Sequence, residues 1–107
     1  MVTVKEILER ANAIVFSNKE RASAANVRYK FVLNGDAICT FVLDLTEAPG
    51  VSEGDGAADC TFRMGAADFI RLADGEVDSR ELFFSGKLKV DGDMGLALKL
   101  KKLMAPA

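Results

Sequence analysis

Residues 27–45 have the sequence VRYKFVLNGDAICTFVLDL, which contains the strongest structural pattern in the chain. Large apolar side chains occupy every second position from Val27 to Leu33, with Arg28, Lys30 and Val32 between them, which is typical of a half-buried strand. The turn residues Asn34-Gly35-Asp36 favour a hairpin, and a second apolar strand follows. A loop of residues 34–36 would pair Leu33 with Ala37, and the apolar side chains of both strands would then share one face. We therefore predict an antiparallel hairpin with one buried face.

The residues before this hairpin predict a helix and a connector. Apolar side chains recur at helical spacing within residues 3–16: Val4, Ile7, Leu8, Ala11, Ile14 and Val15. Thr3 and Glu6 have the spacing of a capping box, in which the hydroxyl accepts a hydrogen bond from an unpaired backbone N–H. Residues 17–26 are small and polar, which is typical of a connector.

The residues after the hairpin continue this alternation of elements. The pattern predicts a loop with room for a short edge strand (46–56), a strand (58–64), a helix ended by Gly75 (66–74), an unassigned apolar segment (79–84), a strand (86–90) and a helix with an aspartate cap (93–104). This order predicts an α+β fold with helices on one face of a mainly antiparallel sheet. We expect residues 1–107 to form a single domain.

The composition excludes several classes of function. The chain has no histidine, two cysteines and a formal net charge of −2. Without histidine we expect neither a Ser-His-Asp or Cys-His catalytic pair nor a zinc site, and near-neutral charge argues against nucleic-acid binding. Cys39 and Cys60 lie in apolar segments and are expected to be buried and inert. Residues of the set AVILMFWYC make up 50% of the chain. This share is high for so short a soluble chain. The surplus apolar side chains can lie in a dense core, in an oligomer interface or in a ligand cavity.

Two clusters of charged residues have both a plain and a functional interpretation. The acidic residues of the 46–59 region do not match a calcium-binding pattern, so we expect a solvated loop. Five lysines gather towards the end of the chain: Lys87, Lys89, Lys99, Lys101 and Lys102. They form either a solvated face or a surface that attracts anionic lipid headgroups or the phosphates of an acyl-CoA.

The final helix carries apolar side chains outside its core stripe. Successive side chains on a helix point about 100° apart, and one stripe of apolar side chains on this helix is typical of a face that packs against the core. Its members are Leu96, Ala97, Leu100, Leu103 and Met104. Met94 and Leu98 fall outside this stripe, among lysines. These two side chains are either scattered surface residues or a contact with something other than the core.

Residues 84–100, FSGKLKVDGDMGLALKL, closely resemble the signature of the sterol carrier protein type-2 (SCP-2) domain. Ala58-Asp59-Cys60-Thr61 and the following helix with Asp68, Phe69 and Leu72 are a second match. The resemblance implies a five-stranded sheet covered on one face by helices, with an apolar tunnel between sheet and helices. It also implies binding of a sterol, a fatty acid or a fatty acyl-CoA without catalysis.

Under this resemblance we expect six apolar side chains to line the lipid site: Phe69, Leu72, Leu82, Phe83, Met94 and Leu98. The functional hypothesis is a non-enzymatic, cofactor-free monomer that carries a hydrophobic small molecule and contacts membranes transiently. The chain ends Ala105-Pro106-Ala107 instead of a Ser-Lys-Leu-like peroxisomal address, and its start lacks a signal-peptide pattern, so we expect a cytoplasmic location. The alternative is an accessory or scaffold domain of a lipid-pathway enzyme complex, whose apolar surplus forms an interface.

Overall fold

The computed structural model describes residues 2–104, with the side chains of 21–23 and 101–104 outside that description. Helix α1 spans Val4–Ser17 and begins where the capping-box spacing predicts. The Thr3 hydroxyl accepts a hydrogen bond from the Glu6 backbone N–H at 3.2 Å, which satisfies one unpaired donor of the first turn. The buried stripe of α1 consists of Ile7, Ala11, Ile14 and Val15.

Five strands form one mixed sheet. They are β1 (Val27–Asn34), β2 (Cys39–Leu45), β3 (Gly50–Glu53), β4 (Cys60–Gly65) and β5 (Lys89–Gly92). Their order is β3-β2-β1-β4-β5, and only the central β1–β4 pair is parallel. The predicted edge strand within residues 46–56 is β3. The α+β class and the mainly antiparallel five-stranded sheet are therefore confirmed.

Four further helices complete the described residues. A 3-10 turn (Lys19–Arg21) leads into α2 (Ala22–Ala25), and α3 (Ala66–Ala73), α4 (Ser79–Phe84) and α5 (Met94–Met104) follow later in the chain. No helix within residues 2–104 is long and apolar enough to span a bilayer. Gly75 ends α3 as predicted, with a φ of 78° that favours glycine.

The core lies between the helices and one face of the sheet. Tyr29, Phe31 and Leu33 of β1 are buried, whereas Arg28 and Asn34 are exposed. The Phe31 ring stacks on Phe41 of β2 at a centroid distance of 5.1 Å and meets Phe69 of α3 edge-on at 5.3 Å. These aromatic contacts join α3 to the two central antiparallel strands.

The hairpin register differs from the predicted one. Leu33 pairs with Cys39 and Phe31 with Phe41, so the predicted pairing of Leu33 with Ala37 is wrong by two residues. The same faces are buried nevertheless, because side-chain direction repeats every two residues along a strand. Asn34 still belongs to β1, and Gly35 takes the positive φ of 86° in the turn that follows.

Three elements near the end of the chain refine the predictions. Residues 79–84, for which the sequence pattern predicts no secondary structure, form α4, and the Asp78 side chain caps it by accepting a hydrogen bond from the Arg80 backbone N–H at 2.9 Å. The strand predicted at 86–90 lies later, at Lys89–Gly92. The predicted final helix is confirmed from Met94, and the Asp93 carboxylate accepts a hydrogen bond from the Gly95 N–H at 2.7 Å.

Candidate functional site

An apolar groove of about 150 Å³ lies between α4, β5 and α5. Phe83 and Phe84 line it from α4, and Met94 and Leu98 line it from α5. The described chain exposes six large apolar side chains, and these four are among them. Exposed apolar side chains that gather in one place mark a ligand or partner site, whereas scattered ones do not. This groove is therefore the candidate functional site.

Local periodicity explains how the walls of the groove form. Met94 and Leu98 are four residues apart on α5 and therefore lie on the same helical face. Leu88 and Val90 point into the groove, whereas Lys87 and Lys89 between them are exposed. This alternation is the period of an extended chain and separates the apolar lining from the lysines.

Two polar residues, Ser79 and Arg80, line the groove at the start of α4. The side chain of Arg80 is 64% exposed, and its Nε lies 4.0 Å from Oδ1 of Asp78. That separation is too long for a hydrogen bond. The groove therefore combines a mainly apolar lining with one cation, at the start of α4.

Three contacts from the body of the domain hold the first turns of α5. The hydroxyl of buried Tyr29 donates a hydrogen bond to the Leu96 carbonyl at 2.7 Å. The Lys99 ammonium donates to the Ala25 carbonyl at 2.8 Å, and the Cys60 thiol lies 3.9 Å from the Asp93 carbonyl. Burial raises the pKa of Tyr29 above its ordinary value. These contacts position the α5 wall of the groove.

The predicted site residues divide into two groups. Phe83, Met94 and Leu98 line the groove. The side chains of Phe69, Leu72 and Leu82 are 0%, 8% and 2% exposed and belong to the hydrophobic core. Leu82 and Phe83 are neighbours in sequence, but successive residues on a helix point about 100° apart, so one faces the core and the other the groove. The role of all six in lipid binding stays a prediction.

Several lining residues were absent from the prediction. They are Phe62, Ser79, Arg80, Phe84, Leu88, Val90 and Ala97. A helix predicted over residues 79–84 would have placed Phe84 and Arg80 on one face, because positions four apart share a helical face. The signal for α4 was Asp78, a favourable capping residue directly before an apolar segment.

The charged clusters form ion pairs and exposed surface. Asp55 of the acidic loop pairs with Lys30 at 2.6 Å, and this hydrogen bond lowers the pKa of the Asp55 carboxyl. Asp59 accepts a hydrogen bond from the Arg28 backbone N–H at 2.9 Å. Within the described residues, no three acidic or cysteine side chains come together as a metal site would need. The side chains of Lys101, Lys102, Leu103 and Met104 lie outside the described ones.

Both cysteines are free and buried, as predicted. Burial raises the pKa of the Cys39 and Cys60 thiols, so the reactive thiolate form is disfavoured at neutral pH.

The chain thus combines a five-stranded α+β sheet with an apolar groove between α4, β5 and α5. A sequence model of the SCP-2 sterol transfer family matches residues 4–105, and the chain belongs to this family. Hydroxysteroid dehydrogenase-like protein 2 of Xenopus laevis is 40% identical over 90 residues, which cover 81% of this chain and 22% of that protein. Human Sterol carrier protein 2 is 41% identical over 71 residues, covering 64% of this chain and 13% of that protein.

A solved structure agrees with this membership. The solution structure of Sterol Carrier Protein-2 from Aedes aegypti, in complex with a C16 fatty acid (palmitate), superposes with a TM-score of 0.74 at 25% identity. The superposition covers 92% of this chain and 94% of that one. The curated relatives are longer: this chain spans less than a quarter of the length of the Xenopus and human proteins.

Proposed function

We propose that this chain is a non-catalytic lipid-binding and transfer domain that holds one hydrophobic molecule in the groove between α4, β5 and α5. The observation that carries the proposal is the gathering of Phe83, Phe84, Met94 and Leu98 around that groove. Such exposure is unfavourable in water and is relieved by an apolar ligand. Membership of the SCP-2 sterol transfer family and the palmitate bound by the Aedes relative support it.

The groove is small for a lipid that binds with micromolar affinity. A micromolar Kd corresponds to about 8 kcal/mol, or about ten methylene groups at ~0.8 kcal/mol each. A groove of about 150 Å³ has the volume of a cavity that holds benzene. We therefore propose that the ligand displaces α5 and extends the groove into an apolar tunnel between sheet and helices. In that state Phe69, Leu72 and Leu82 would join Phe83, Met94 and Leu98 in contact with the lipid.

Titration of the lipid-stripped protein with N-phenyl-1-naphthylamine, a neutral fluorescent probe, tests the proposal. We expect saturable probe binding and displacement by palmitate at micromolar concentrations. Leu98→Gln places an amide in the groove wall and is expected to weaken binding about tenfold, the effect of losing one to two buried methylene equivalents. Ile38→Gln is the matched control, since Ile38 is 83% exposed and does not line the groove. No saturable binding to the wild-type protein would refute the proposal.

A second candidate is an accessory domain that serves a lipid-metabolising enzyme. It is favoured by the Xenopus relative, a dehydrogenase-like protein in which the matched region is 22% of the length. In that case the exposed apolar side chains would form an interface, and the protein would form a stable oligomer or bind an enzyme subunit. Size-exclusion chromatography with light scattering distinguishes the candidates. A monomer that binds lipid supports the carrier. We propose that this carrier acts in the cytoplasm.

A further inference from the structure

The groove is amphipathic along the length of α4. Arg80 lies three and four positions before Phe83 and Phe84, so the three side chains share one face of the helix. The opposite wall, Met94 and Leu98, is apolar. A molecule lying along α4 in this groove would meet apolar atoms at Phe83 and Phe84 and a guanidinium at the start of the helix.

The donors of Arg80 are largely free to bind such a molecule. A guanidinium has five N–H donors, and none of those of Arg80 is within hydrogen-bond distance of another described side chain. Oδ1 of Asp78 already accepts from the Arg80 backbone N–H at 2.9 Å and lies 4.0 Å from Nε. Glu81, the next residue, lies on the neighbouring shallow surface with Asp78 and Arg80. These carboxylates reduce the local positive potential, but they leave the planar fork of donors open.

We propose that Arg80 determines ligand specificity by pairing with the carboxylate of a single-chain fatty acid. A guanidinium and a carboxylate match in charge and in geometry, and form two parallel hydrogen bonds. A flexible chain can also enter a groove of about 150 Å³ progressively, whereas a rigid four-ring sterol needs its whole volume at once. The assignment of Arg80 rests on the proposed lipid-binding function and adds a preferred headgroup to it.

The test compares two ligands that differ only in their headgroup. Dodecanoate and 1-dodecanol have the same alkyl chain, but only dodecanoate is charged at pH 7. The affinity of each ligand is measured by displacement of N-phenyl-1-naphthylamine from the wild-type protein, from Arg80→Gln and from Arg63→Gln. Arg63 is a matched control, since it pairs with Asp91 at 2.9 Å on exposed surface and does not line the groove. Circular dichroism confirms that each variant is folded.

We expect Arg80→Gln to weaken dodecanoate binding about five- to tenfold, the effect of a partly exposed charge-assisted pair. The affinity for 1-dodecanol should change less than about twofold, and Arg63→Gln should leave both affinities unchanged. Equal weakening of both ligands would overturn the assignment, because it would mean that only the aliphatic stem of Arg80 contributes. No weakening of either ligand would overturn it as well. Both of these results leave lipid binding intact, whereas a wild-type protein that binds neither ligand would refute the proposed function itself.

Discussion

Replacing Tyr29 with phenylalanine removes the hydroxyl that joins strand β1 to helix α5. The Tyr29 ring is fully buried, and its hydroxyl donates to the Leu96 carbonyl at 2.7 Å. A hydrogen bond of this kind contributes about 1 kcal/mol to the free energy of unfolding. The phenylalanine ring keeps the contact with Phe62, whose centroid lies 5.6 Å away, so little else is lost. We expect Tyr29→Phe to lower the unfolding free energy by about 1 kcal/mol at pH 7.

The difference between the two proteins should disappear in alkali. Burial raises the pKa of Tyr29 in the folded state, while the unfolded chain ionises near the ordinary value of about 10. The unfolded state therefore releases this proton first as the pH rises. The stabilisation is complete below about pH 10 and is lost above it, by up to ~1.4 kcal/mol per pH unit. The stabilities of wild type and Tyr29→Phe should converge near pH 11.

Two measurements check this prediction. Tyr29 is the single tyrosine of the chain, so ultraviolet absorbance during an alkaline titration follows this residue alone. Urea unfolding at pH 7 and at about pH 11 gives the free energies of unfolding. The buried thiols are present in both proteins, and the charge of an ionised Cys60 raises the pKa of Tyr29 in the same direction as burial does. Ser52→Ala, which removes an exposed hydroxyl from β3, is the control. A Tyr29 that titrates near 10 in the folded protein, or a stability gap independent of pH, would refute the reasoning.

Two further predictions concern the turn before α5 and the thiols. Gly92→Ala should lower the unfolding free energy by about 1–3 kcal/mol, because Gly92 has a φ of 120° and a Cβ there would lie 3.0 Å from the Asp59 carbonyl oxygen. Urea unfolding should give a smaller loss for Gly35→Ala, where a Cβ meets nothing within 4 Å; equal losses would contradict the steric argument. Cys39 and Cys60 should react slowly with Ellman's reagent in the folded protein at pH 8 and fully in guanidinium, because burial raises both thiol pKa values. Rapid labelling of the native protein would show that the thiols are accessible.

Local chemistry in the sequence was enough to predict most elements and their buried faces. The Thr3 cap, the Gly75 stop and the Asp93 cap each act through the backbone of their own turn, so their effect needs no tertiary partner. Alternation likewise placed Tyr29 and Phe31 on the buried face of β1. The predicted register failed by two residues because a shift of that size preserves the faces, and the apolar pattern does not distinguish the two pairings.

The candidate site depended more on tertiary structure. The family resemblance led us to predict one lining set of six apolar side chains, and the structure assigns Phe69, Leu72 and Leu82 to the core and Phe83, Met94 and Leu98 to the groove. All six are apolar, and only the packing of α3, α4 and α5 against the sheet decides which faces are covered. The place of Arg80 in the groove likewise depends on tertiary structure, since the groove forms only where α5 lies opposite α4.

The sequence by itself therefore determined most of the order of elements, the buried faces of the strands and the family, because these follow from periodicity, capping and a local signature. The tertiary structure alone decided the parallel β1–β4 pairing, the two-residue shift in the hairpin and the composition of the groove. Each of these depends on residues distant in the chain, whose packing is set by how the whole core fills space and not by the preferences of any one segment.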